Sequence, residues 1–190
     1  VSTASHQFRT PLAVIQSNTQ LLEMFNKTGK KIEIEKYEKA AGRITEAITK
    51  MIALMDDVLV LGKLTSGSIQ CAPQELDLIE FCKKLVNEFN SMQIDGRILE
   101  FQLFGEPYNA ILDYNILAHA LSNLISNAFK YSLGNKNPQL MLNFKPKKLI
   151  VSIKDYGIGI PEAEVSNLFQ PFFRAKNAMQ IKGTGLGLII

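Results

Sequence analysis

Apolar residues recur at alternating steps of four and three through the first third of this chain. Phe8, Leu12, Ile15, Thr19 and Leu22 form one series, and Tyr37, Ala41, Ile44, Ile48, Met51, Met55 and Val58 form a second. That spacing lays side chains along one stripe of an α-helix and excludes a strand, whose side chains alternate between faces. Between the two series, "NKTGKK" (26–31) predicts a turn, with Gly29 as the helix stop. Two helices joined by a short turn form an antiparallel hairpin. Ile52, Leu54 and Leu59 widen the second stripe beyond what one partner helix covers. Two hairpins packed as a four-helix bundle would bury it, so a homodimer is expected.

The periodicity ends at "LTSGSIQCAP" (64–73), where Gly67 and Pro73 break the pattern. The expected division is a helical hairpin over 1–66, a linker over 67–74 and a second domain over 75–190. In that second part helix and strand patterns mix. "QELDLIEFCKKLVNEF" reads as a short strand then a helix, "ILEFQLFG" (98–105) and "PYNAILD" (107–113) as strands, and 114–131 as an apolar helix. "PQLMLNF" and "KLIVSIKD" read as a hairpin around "KPKK". Such an order predicts a layered α+β domain.

Composition narrows the function classes. The net charge of +3 argues neither for nor against an acidic partner, but no long Lys/Arg run of the nucleic-acid kind occurs, and no nucleic-acid partner is expected. Cys71 and Cys82 lack metal-ligand spacing and read as free thiols. No apolar run approaches the roughly 20 residues that cross a bilayer.

Five motifs carry chemistry. "SHQFRTPLAVIQSN" (5–18) puts His6 on the outer side of the first helix, flanked by Arg9 and Thr10 one turn on. Pro11 removes a backbone donor there and is expected to kink or loosen the helix. A neutral exposed imidazole has a ring nitrogen free to act as a nucleophile. In "NLISNAFKYS" (123–132), Asn123, Asn127, Lys130 and Tyr131 share one helix face. Asn oxygens are hard ligands suited to Mg²⁺, and Lys130 can meet phosphate as a point charge. "DYGIGIP" (155–161) follows a strand pattern. Asp155 could accept from a purine amine, and Gly157 and Gly159 allow close backbone approach to a flat ring. "LFQPFFRA" (168–175) gathers Phe169, Phe172, Phe173 and Arg174 ahead of a glycine-rich segment, which suits the hinge of a lid. In "GTGLGL" (183–188), Gly183, Gly185 and Gly187 precede what reads as a helix start, a place where backbone amides bind phosphate. Taken singly, each has an ordinary reading: a surface histidine, a polar helix edge, a β-turn, core aromatics, a flexible loop.

In this order the five motifs resemble the catalytic core of a sensor histidine kinase. "HQFRTPL" is similar to the phosphoacceptor box, and the other four to the motifs of a GHKL-type (Bergerat) ATP-binding domain. The resemblance spans essentially the whole chain. It implies two domains, an all-α hairpin that dimerises into a four-helix bundle and an α+β sandwich of the Bergerat type. It implies ATP and Mg²⁺, with His6 as phosphoacceptor and Gln7, Arg9 and Thr10 around it. Asp155 would meet adenine, Asn127 the metal, Asn123 the metal or phosphates, Lys130 phosphate, and Tyr131 the base or ribose. Gly157, Gly159, Phe172, Arg174, Gly183, Thr184, Gly185, Leu186 and Gly187 would complete the nucleotide site, the last seven on the lid. The implied partner is a response regulator receiver domain, docked beside His6. The implied setting is the cytoplasmic portion of a bacterial sensor anchored in the inner membrane through an upstream region.

Two departures from the family pattern stand out. Gln7 occupies the place where an acid usually orients the imidazole and accepts its proton; an amide can fix the tautomer but is a very poor base. Slower autophosphorylation and weakened regulator phosphatase activity are therefore expected. The pattern also continues past "GTGLGL" in the family, so the last strands of the sheet are expected to be missing and the ATP-binding domain incomplete. Two rival readings share part of the evidence. Another GHKL ATPase would not need "HQFRTPL", and a non-catalytic dimeric scaffold would bind ATP or a regulator without phosphorylating itself.

Overall fold

A computed structural model describes residues 2–28, 34–68, 70–134, 136–181 and 183–189. The chain divides into two compact units, Val1–Gly67 and Ser68–Ile190.

The first unit is two long helices packed along each other, α1 (Ser2–Thr28) and α2 (Ile34–Thr65). α1 runs on through Asn26, Lys27 and Thr28, and the rest of the expected turn, Gly29 included, lies outside the described residues. Pro11 does not break α1. The buried seam differs from the expected one by a residue. Ala40, Ala47 and Leu54 are buried at heptad spacing, with Ile44 and Met51 partly buried between them and Val58 one turn beyond. Tyr37, Ala41, Ile48 and Met55, expected inside, are exposed, as is Leu12 on α1. The physical reason is size. Alanines on the seam let two helices approach closely, and one partner covers only one stripe. Asn18 is also buried, its amide donating to the Val14 carbonyl at 2.8 Å. What stays exposed on α2 is a second stripe with steps of four and three, Ile48, Ile52, Met55 and Leu59, the last 61% exposed.

The second unit is a layered α+β domain. β1 (Gln74–Leu76) pairs antiparallel with β3 (Ala110–Leu112). A three-stranded sheet has the order β2-β4-β5, from Glu100–Phe104, Gln139–Lys145 and Lys148–Lys154. β2 is parallel to β4, and β4 and β5 form the expected hairpin, Lys145 opposite Lys148. Leu140, Leu142 and Phe144 alternate inward from β4. They meet Leu78, Phe81, Cys82 and Leu85 of α3 (Leu78–Met92) and Leu121, Ile125 and Phe129 of α4 (Tyr114–Tyr131) in one core. Both cysteines are free; Cys71 is exposed, and burial pushes the Cys82 thiol up to about 12.

Aspartates start both helices of this core. Asp77 accepts from the amides of Ile79 and Glu80 at 2.9 and 3.0 Å. Asp113 does the same for Asn115 and Ile116, at 2.8 and 3.0 Å. Its other oxygen takes the Ala72 amide at 2.7 Å, which ties the strand leading into β1 to the start of α4. The end of α4 is tied by Arg97, buried over the Phe129 ring, which bonds Asp95 and both the carbonyl and hydroxyl of Ser132.

The bonds to Ile116 and Ala72 hold the Asp113 carboxyl below its ordinary value. Asp95 is lowered by Arg97, and Glu100 by the Gln139 and Asn137 amides. A depressed folded-state pKa contributes stability above the unfolded value and loses it as pH falls through the folded one. Urea melts should therefore show Asp113→Ala less stable than the parent at pH 7, with the gap closing below about pH 4. A gap that is constant with pH would contradict this role of the carboxylate.

Candidate functional site

α4 has two chemically different faces. Leu121, Ile125, Ala128 and Phe129 are buried against the core. Rotated half a turn away are Asn123, Asn127 and Lys130, with Tyr131 at the helix end. All four are partly buried, so something covers a face that carries polar groups.

The glycine-rich loop lies along that face. A Cβ on Gly187 would sit 3.7 Å from the Asn123 side-chain oxygen. A Cβ on Gly183 would run into the Lys130 ammonium and lie 3.6 Å from the Tyr131 hydroxyl. The loop therefore runs antiparallel to α4. Residues 183–186 form an open loop and 187–189 a turn, with one bond from the Ile189 amide to the Leu186 carbonyl. Gly185 bends this loop, since its φ of +74° is left-handed. Leu186, completely buried, anchors the loop, and its amide donates to the Thr184 hydroxyl at 3.3 Å.

The "DYGIGIP" turn closes the same face at the Tyr131 end of α4. Asp155 follows β5, is exposed, and accepts the Gly157 amide at 2.8 Å. The Ile158 amide donates to the Tyr131 carbonyl at 3.2 Å, and a side chain on Gly157 would collide with that carbonyl. Gly159, at φ +64°, has open space above it, and its carbonyl accepts from the Asn177 amide at 3.0 Å.

The segment between these two loops is clipped at several points. Phe172 is held at φ +63°, its amide donating to the Gly185 carbonyl at 3.0 Å. The Lys176 amide bonds Glu164 at 2.9 Å. Arg174 turns inward, its Nη2 donating to the carbonyls of Ala178 at 2.6 Å, Met179 at 3.2 Å and Ile181. The three phenylalanines do not share one environment: Phe172 and Phe173 are partly buried, while Phe169 is 68% exposed. Sequence reasoning missed Asn177 and Glu164, which have no motif of their own. It also missed His119, one turn before Asn123 on α4. Among the described residues, His119 Nε2, Asn123 Nδ2 and Arg174 Nε are sealed from solvent with no hydrogen-bond partner.

In the helical unit, His6, Arg9 and Thr10 are exposed and Gln7 is partly buried. A shallow groove is lined by His6, Arg9, Thr10, Ala13, Val14 and Ser17. The Thr10 hydroxyl donates to the His6 carbonyl at 3.1 Å, a bond next to the Gln7 carbonyl that Pro11 cannot serve. Among the described residues no cluster of three or more His, Cys, Asp or Glu could hold a metal ion, and no helix is long and apolar enough to cross a membrane.

Two family models match, and together they span both motif sets. The His Kinase A (phospho-acceptor) domain covers residues 1–67, and the histidine kinase-, DNA gyrase B-, and HSP90-like ATPase covers 112–190. This chain belongs to the sensor histidine kinases. It is 31% identical over 194 residues to the sensor protein kinase WalK of Staphylococcus epidermidis, covering all of this chain and 31% of that protein. The chain spans about a third of the length of the first curated relatives it matches. Its fold is similar to that of the Acinetobacter baumannii histidine kinase AdeS (TM-score 0.69, 22% identity, 97% of this chain and 82% of that one). It is also similar to histidine kinase ThkA, solved in complex with response regulator protein TrrA (TM-score 0.67, 20% identity, 90% and 48%).

Gly185→Ala tests the loop geometry, because its methyl would lie 2.7 Å from both the Phe172 carbonyl carbon and the Phe173 oxygen, at a φ that L-residues avoid. Faster proteolytic cleavage within 172–187 with an unchanged far-UV spectrum is expected. An unchanged digestion pattern would show that the loop does not depend on this glycine.

Proposed function

We propose that this histidine kinase chain transfers the terminal phosphoryl group of ATP to His6 and passes it to an aspartate of a response regulator. One observation carries the reading: the glycine loop lies along the Asn123–Lys130 face of α4, with the Asp155 turn closing its end. That arrangement suits a nucleotide, base at the Asp155 end and phosphates beneath the glycine amides. The unpartnered Asn123 amide and the Lys130 ammonium are donors of the kind a triphosphate satisfies. Mg²⁺ fits as well, since its usual site is one or two protein oxygens plus substrate phosphates, and Asn127 offers such an oxygen. Bound there, it would neutralise charge developing on the phosphates.

At His6, a ring nitrogen lone pair attacks the γ-phosphorus. The N–P bond forms as the bond to the bridging oxygen breaks, ADP leaves, and the proton on the other ring nitrogen passes to solvent. Gln7 can accept a hydrogen bond from that nitrogen and set the tautomer, but it cannot take the proton. Arg9, exposed beside His6, supplies positive charge for the incoming phosphates. The groove from His6 to Ser17 is where a receiver domain would dock; that ThkA, similar in fold, was solved in complex with a response regulator protein supports such a partner. Thr10 there would support dephosphorylation of the regulator, weakly, because Gln7 lacks the acid's charge. The need for ATP and a receiver domain supports a position on the cytoplasmic side.

Incubation with Mg²⁺ and γ-labelled ATP tests this directly. Acid-labile, base-stable label that disappears in His6→Ala is expected, with Gln7→Glu raising the initial rate. No label on the parent would leave a nucleotide-binding scaffold. Label that persists in His6→Ala would move the acceptor elsewhere.

The exposed stripe Ile48, Ile52, Met55 and Leu59 supports dimerisation through the hairpin, with a second copy as the covering surface. Light scattering at micromolar concentration should give a dimer, and Ile52→Glu with Leu59→Glu a monomer. A monomeric parent would contradict it.

A further inference from the structure

We propose that His119 is a phosphate-contacting residue that lets this site distinguish a nucleoside triphosphate from a diphosphate; the inference rests on the nucleotide reading above. His119, Asn123 and Asn127 follow one another at intervals of one turn on α4, away from the core face of Leu121, Ile125 and Phe129. His119 Nε2 and Asn123 Nδ2 are both sealed from solvent, and neither has a hydrogen-bond partner among the described residues. Buried polar atoms are nearly always paired, and an unpaired one is costly. Two such atoms one turn apart, on the polar face of one helix, point to a shared acceptor that a ligand brings. Asn123 Nδ2 can only donate, so the shared group must accept, as the oxygens of a phosphate do.

Position along α4 says which part of the ligand this is. The Asp155–Ile158 turn lies against Tyr131 at the helix end. Gly183 lies at Lys130 and Tyr131, and Gly187 at Asn123. A nucleotide with its base at the Asp155 end extends its phosphates toward the start of α4. His119 stands beyond Asn123 in that direction, about 6 Å further along the axis. It therefore donates its Nε2–H to the outermost phosphate, the one a diphosphate lacks.

The test is the affinity of the 190-residue chain for a non-hydrolysable ATP analogue and for ADP, by calorimetry, in the parent, His119→Ala and His119→Gln. The expected result is an analogue affinity about tenfold or more weaker in His119→Ala. ADP affinity should be nearly unchanged, and His119→Gln, whose amide can donate from a similar position, should recover part of the loss. Equal weakening for both nucleotides, or none for either, would overturn the inference while leaving the nucleotide site standing. A parent that binds neither nucleotide would overturn the nucleotide reading and this inference with it. Nitrogen NMR on the unmutated chain gives a readout that does not depend on the variants folding. The His119 Nε2 resonance should move with the analogue and stay with ADP, and the same response to both would contradict the proposal.

Discussion

The domain Ser68–Ile190 depends on one helix being held between two environments. On one side of α4, Leu121, Ile125, Ala128 and Phe129 sit against α3 and the sheet. Asp113 fixes its start to the approach to β1, and Arg97 fixes its end through Ser132. With position and rotation fixed, the polar residues half a turn away are aimed as a group. The glycine loop and the Asp155 turn can then be read as two walls built against a fixed floor. Residues with small or absent side chains occur where backbone must come near that floor: Gly157 beside the Tyr131 carbonyl, and Gly183 beside Lys130.

The helical unit works by a different constraint. A hairpin of two helices has one mutual seam, and here it is lined by Ala40, Ala47 and Leu54. That leaves the larger apolar residues of α2 on the outside, which is the reverse of what a single hairpin would need for its own stability. The Thr10 and Thr19 hydroxyls bond carbonyls one turn back, so the polar surface of α1 is partly satisfied within the helix. His6 remains exposed on that surface.

Much of this was legible because periodicity and punctuation are strong local signals. The helices, the β4–β5 hairpin around its Pro146–Lys147 turn, and the change of architecture near Gly67 all follow from spacing and breakers. The seam of α2 was displaced by one residue because a 4-3 pattern fits two adjacent stripes when both are apolar, and only packing decides which one a neighbour takes. The path of the glycine loop was not legible, because the positive φ of Gly185 and its close approach to Phe172 carry no local signal beyond the glycine itself. The inward turn of Arg174, whose Nη2 donates to the carbonyls of 178, 179 and 181, carries no sequence signal of its own. His119 carries no motif; only the sealing of its Nε2 singles it out.

The central claim is that the outer face of α4, the glycine loop and the Asp155 turn form one nucleotide site. Backbone amide NMR during titration with a non-hydrolysable ATP analogue and Mg²⁺ tests it most directly. The account predicts that the largest shifts fall on Asn123, Asn127, Lys130, Tyr131, residues 155–159 and residues 183–187, with α3 and β2 largely silent. Shifts concentrated away from α4, or an absence of saturable change, would contradict it.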